Sequence, residues 1–201
     1  MRRTTLSIIL ILFFATSFSQ ETARVNKING IEVYVLCEPI RAYEVILGEG
    51  KSLQWSSLLS GGLINESVAT KVTKYVTAVQ EKALEENLTF DAIIYTNGKS
   101  VSAVKFTEEK TNDNDRIAEV QKIDGIPVFV LNEPLKKHTV EKDKGGGIKW
   151  KSLVTAGLVN NSIEEDIQKF VDRFKSYFKK NKIDALHYTN GKECNGIKFI
   201  E

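Results

Sequence analysis

Apolar and polar positions along the chain fall into short blocks that change period. Residues 25–28, V-N-K-I, read as a strand. Asn29-Gly30 follows, a dipeptide suited to a two-residue hairpin turn because both central positions must accept positive φ. A return strand over 31–37 is apolar on both faces, since Val33 and Val35 alternate with Tyr34 and Leu36. It ends at Glu38-Pro39, where proline cannot donate to a ladder. A third strand is predicted over 43–47, Y-E-V-I-L. The period then becomes helical: Val68, Val72, Tyr75, Val76 and Val79 lie on one stripe, with Ser67 placed to cap it. Asp91-Ala92-Ile93-Ile94-Tyr95, an Asn97-Gly98 turn and residues 101–106 then predict a second hairpin.

The same blocks return 95 residues later: residues 25–36 read VNKINGIEVYVL and residues 120–131 read VQKIDGIPVFVL. The offset holds through Glu38-Pro39 and Glu133-Pro134, Trp55 and Trp150, and Gly62-Leu63 and Gly157-Leu158. It then becomes 93, with Tyr95-Thr96-Asn97-Gly98-Lys99 matching Tyr188-Thr189-Asn190-Gly191-Lys192. Two residues were therefore lost or gained near the end of the helix. The helical stripe recurs as Ile163, Ile167, Phe170, Val171 and Phe174, after Ser162 as cap and with Glu165 completing a capping box. Such periodicity marks an internal duplication.

These readings predict an α+β fold of two tandem ββ(β)αββ units. Each is expected to be an antiparallel sheet with one main helix packed on it, the two related by a pseudo-two-fold axis. The second apolar face of the return strand needs cover, which a partner unit would supply. The expected boundaries are a signal peptide over 1–19, a first repeat over 20–107, a polar linker over 108–117 and a second repeat over 118–201. The signal rests on Arg2 and Arg3, an apolar run over 6–14, and small residues at Ser17 and Ser19 before a cut at Gln20. The apolar run is about half of the ~20 residues a spanning helix needs, so no transmembrane segment is expected after cleavage. Export to the periplasm or beyond follows.

Composition narrows the chemistry. The 201 residues are 42% hydrophobic and 27% charged, an ordinary globular balance. Loss of Arg2 and Arg3 brings 28 basic residues to 26, level with the 26 acidic ones, so no bulk attraction to nucleic acid is expected. Two cysteines cannot make a disulfide-dense scaffold. Cys37 and Cys194 belong to opposite units; they either join them by one disulfide or remain two thiols. His138 and His187 align with Tyr43 and Ile94, so neither is repeated, and no His-x-x-x-His or Cys-x-x-Cys spacing exists. The reading that follows is two strand or surface histidines with no metal or catalytic role. There is no Gly-x-Ser-x-Gly elbow, and Gly145-Gly146-Gly147 lacks the Lys-Ser/Thr of a phosphate-binding loop.

The repeated residues leave two candidate pairs. Trp55 and Trp150, ahead of the two helices, are either core plugs or recognition anchors. Glu38 and Glu133 are candidate interaction residues, and as a pair across the two-fold they would be the acid and base of a hydrolase. No cofactor or metal is called for.

The run Tyr43-Glu44-Val45-Ile46-Leu47-Gly48, a long helix and then Asp91-Ala92-Ile93-Ile94-Tyr95 resembles the YbjQ-type small α+β domains, a family described as putative heavy-metal-binding. The likeness covers about half of the first unit. The second departs from it at His138-Thr139-Val140-Glu141-Lys142, and the matching positions supply no ligand set. The resemblance implies a β-α-β arrangement. The function expected from these features together is that of an exported, non-enzymatic protein that binds another envelope component. The alternative is a small-molecule or metal-binding module with its site between the repeats. The oligomeric state is left open.

Overall fold

The computed structural model describes residues 21–48, 68–95, 101–108, 116–141, 163–188 and 194–200. The signal segment, most of the linker, Ser67 and Ser162, the Asn97-Gly98 turn, and Trp55 and Trp150 with their loops lie outside the described residues.

Strand dominates. In chain order the elements are β1 (Thr22–Ile28), β2 (Ile31–Val35), β3 (Cys37–Pro39), β4 (Tyr43–Leu47), α1 (Val68–Glu85), β5 (Ala92–Tyr95) and β6 (Val101–Phe106). There follow β7 (Ile117–Val120), β8 (Lys122–Ile123), β9 (Ile126–Val130), β10 (Asn132–Pro134), β11 (His138–Glu141), α2 (Ile163–Asn181), β12 (Ala185–Tyr188) and β13 (Cys194–Phe199). The expected fold class, two tandem ββ(β)αββ units each an antiparallel sheet with one main helix packed on it, is thereby corrected. The protein is mostly β, and its strands form two large sheets. One has eight strands along β3-β7-β1-β2-β5-β6-β4, with β10 also on β1; the other has five, β11-β13-β12-β9-β8.

Both sheets are mixed. β2 pairs with β5 in parallel, and β9 pairs with β12 in parallel. The physical reason is the helix lying in sequence between them: a strand–helix–strand crossover returns the chain in the same direction. Strands of such pairs are apolar on both faces, as V-Y-V and A-I-I-Y are here.

The predicted return strand over 31–37 is also broken. Leu36 and Leu131 adopt φ of 50° and 55°. Each amide is held by the carbonyl of the tyrosine ending the neighbouring parallel strand, Leu36 by Tyr95 at 2.9 Å and Leu131 by Tyr188 at 3.0 Å. The kink turns β3 and β10 out of their sheets and into a third ladder. In that ladder β1 lies between β7 and β10, and β3 lies on the far side of β7.

The ladder's register is reciprocal. Ala23 faces Ala118, Thr22 faces Glu119 and Arg24 faces Ile117. Val25 faces Asn132 on one side, and Val120 faces Cys37 on the other. Each half therefore lends its first strand to the other. The ladder joins residues 20–107 to residues 118–201, so the strands do not divide at the expected boundary.

Side-chain alternation sorts the core into three clusters. Val33, Val35, Ile93 and Tyr95 point toward Val72, Tyr75, Val76 and Val79 of α1, and Val128, Val130, Leu186 and Tyr188 belong to the same cluster with Ile167, Val171 and Phe178 of α2. The intervening residues point the other way. Tyr34, Ala92, Ile94 and Val104 pack with Val25, Cys37 and Ala118; Phe129, Ala185 and Ile197 pack with Ala23 and Val120. The ladder thus covers the second face of both sheets, with residues from both halves.

Candidate functional site

The face of each sheet turned toward the ladder carries a polar cluster, at related positions and with different chemistry. In the first half, Glu32 lies on β2 and is 4% exposed. It accepts hydrogen bonds from the Tyr34 hydroxyl at 2.9 Å and from Arg41 Nη2 at 2.5 Å. The Arg41 guanidinium lies 3.5 Å from the centroid of the Phe106 ring, a cation–π contact. Burial, with the Glu32 carboxylate second, pushes the Tyr34 phenol well above its ordinary range. Beside this group is a cleft of about 250 Å³ lined by Lys27, Gly30, Ile31, Glu32, Arg41, Phe90, Asp91, Phe106 and Glu108. These residues all precede the second repeat, so the cleft is not a site between the repeats. Sequence reading missed Glu32 and Arg41, because the kink at Leu36 and the turn after Pro39 bring them together.

In the second half Pro127 stands where Glu32 would be and Lys136 where Arg41 would be. Lys136 Nζ lies 5.2 Å from the Phe199 ring centroid, the same placement loosened. It finds its carboxylate in Glu21 of the other half, at 2.8 Å. The polar group here is a histidine pair. His187 on β12 is 4% exposed, and its ring meets that of His138 on β11 edge to face, centroids 5.7 Å apart. His187 Nε2 is 3.1 Å from the Asn132 carbonyl and 3.6 Å from a Glu133 carboxylate oxygen. A carbonyl only accepts, so Nε2 carries the proton. Burial holds the His187 pKa below its ordinary value, against the opposing pull of Glu133 and the Asn132 bond; His138 adds to the lowering.

The structure brings Glu133 to His187, and Glu38 to Tyr43, whose hydroxyl donates to it at 3.1 Å. It does not bring Glu38 and Glu133 together. The residues just before them, Cys37 and Asn132, meet inside the ladder, Asn132 Nδ2 donating to Cys37 Sγ at 3.5 Å. Successive strand residues point to opposite faces. Glu38 and Glu133 therefore lie on the other face of that ladder, in register with Glu119 of β7 and Arg24 of β1.

Cys37 and Cys194 are free and buried in different apolar clusters, each thiol pushed up to about 12 by burial. A thiol held protonated is a poor nucleophile. Among the described residues no group of three or more His, Cys, Asp or Glu is arranged to hold a metal ion, and no helix is long and apolar enough to cross a membrane.

The two remaining features are at the sheet edges. β4 ends one sheet and β11 ends the other, and no described strand pairs with their outer sides. The Ala42 carbonyl accepts from the Thr107 amide at 3.1 Å, and the Lys137 carbonyl from the Ile200 amide at 2.9 Å. Main-chain groups alternate along an antiparallel strand, so those of Tyr43 and Val45, and of His138 and Val140, face outward. Val45 is 56% exposed and Val140 is 41% exposed.

No family model, curated protein or solved structure matches the chain. The YbjQ-type likeness rests on the residues quoted for it alone.

Proposed function

We propose that the protein is an exported, non-enzymatic binding protein. Its two sheet edges, β4 and β11, each accept an extended segment of another envelope protein by strand addition. The observation that carries this reading is the paired edges, each with outward main-chain donors and acceptors and an exposed valine at the same position. Strand addition draws affinity from such main-chain groups and specificity from alternate side chains. The signal-like segment over 1–19 supports export.

The test places a photo-activatable cross-linker at Glu44 of β4, at Thr139 of β11 and, as control, at Leu84, an α1 residue that is 79% exposed. Cross-linking is done in the native host. Capture of the same envelope protein at both edges, absent at Leu84 and lost in Val45→Pro and Val140→Pro, is the expected result. Those prolines remove an outward N–H and leave the β4–β6 and β11–β13 ladders intact. Equal capture at Leu84, capture that survives both prolines, or cross-linking only to a second copy of the chain would overturn it.

A further inference from the structure

His187 occupies a joint. It stands on β12, on the sheet face turned toward the ladder, and its Nε2–H donates to the carbonyl of Asn132, the first residue of β10. Asn132 in turn faces Val25 of β1. One imidazole therefore ties the second sheet to the outer strand of the ladder that joins the halves. At the related joint of the first half the residue is Ile94, a part of the apolar cluster there.

We propose that His187 is a proton-operated latch on β10: neutral, it holds β10 against β1; protonated, it releases that strand and loosens the ladder on this side only. The second proton would go to Nδ1, on a ring buried edge-on to Phe129 and His138. A cation there loses its hydration while the ring stays buried, and this favours the state in which the ring has left its site. Among the described residues the charged groups facing it are few. Glu133 on β10 attracts the cation at 3.6 Å, and His138 on β11 repels it when itself protonated. Phe129 on β9 and Asn195, its partner on β13, are uncharged. Further along the β10–β11 connection, the Lys136 carbonyl lies 3.1 Å from His138 Nδ1 and the Lys136 ammonium is spent on Glu21. Glu133 is exposed, so its attraction is screened by water and does not offset the burial of the ring.

The sign is fixed by the direction of the shift. The folded pKa of His187 lies below its ordinary 6.5, so the opened state takes up a proton first. The latch is fully effective above about 6.5 and weakens as pH falls from there toward the folded value.

The experiment is hydrogen exchange on the intact mature chain at pH 7.5 and pH 5.0, corrected for the intrinsic rate at each pH. The amides of Glu133 and of β1 next to it are expected to lose protection about tenfold or more at the lower pH, with the β4–β6 ladder unchanged. In His187→Ile, which copies Ile94, that loss disappears. In His138→Tyr, which copies Tyr43, it remains and its midpoint moves to higher pH, because a like charge has gone. A loss spread evenly over both halves, a loss that persists in His187→Ile, or an unmoved midpoint in His138→Tyr would overturn the proposal. Should His187→Ile not fold, the His138→Tyr midpoint decides.

Discussion

The Glu32–Arg41 cluster of the first half and the His138–His187 cluster of the second occupy the same side of the same kind of sheet. They solve the burial of polar atoms in opposite ways. In the first half an ion pair is enclosed, with side chains only 11% and 5% exposed, and Tyr34 and Phe106 complete it. In the second half the cation has moved outward, Lys136 being 49% exposed, and the imidazole of His187 is the buried polar group. The two halves thus separate a permanent charge pair from a titratable group.

The largest test of that contrast is removal of the buried cation. Arg41→Ala leaves Glu32 enclosed without its partner and is expected to cost about 3–5 kcal/mol in urea unfolding. Lys136→Ala strips a more exposed pair and is expected to cost about 1 kcal/mol or less. Equal losses would mean that the two clusters are energetically alike. The next test separates the clusters by pH: the unfolding midpoint of wild type falls below about pH 6.5, while that of His187→Ile is flat there. A smaller test asks where the halves remain the same. Asp91 and Asp184 each accept a hydrogen bond from the backbone of the last strand, Phe106 N at 3.0 Å and Phe199 N at 2.9 Å. Asp91→Ala and Asp184→Ala are each expected to lose about 1 kcal/mol, and by matching amounts. The smallest is Lys175→Ala at the exposed Asp124 pair, 3.3 Å long, where thermal unfolding is expected to register less than about 0.5 kcal/mol.

Local devices of the fold were legible in the sequence. Asn29-Gly30 and Asp124-Gly125 are turns with φ of 50° and 82°, and 51° and 80°. Strands β4 and β6 have the ends their patterns predict. What the sequence hid is non-local. Leucine carries no sign of a left-handed conformation, so the kinks at Leu36 and Leu131 are held by tertiary hydrogen bonds and burial alone. Without the kinks, neither the third ladder nor the Glu32–Arg41 contact can be foreseen. The parallel pairing did leave a trace, in the unbroken apolar runs of β2 and β5 on either side of a helix. Of the candidate site residues, Glu133 is legible as a repeated acid, but its histidine partner is not, because the first half has Ile94 there. An unrepeated residue in a repeated frame was the available signal.

The reciprocal ladder also sets an order of events. Asn26 Nδ2 donates to the Leu131 carbonyl, 105 residues away, and the N-terminal end of β1 finds both its neighbours in the second half. While the chain is being synthesised, the first half has no means of completing itself until β10 has emerged. Contacts of such sequence separation form slowly. This pairing delays closure of the first half until the opening strands of the second, through Pro134, have been made.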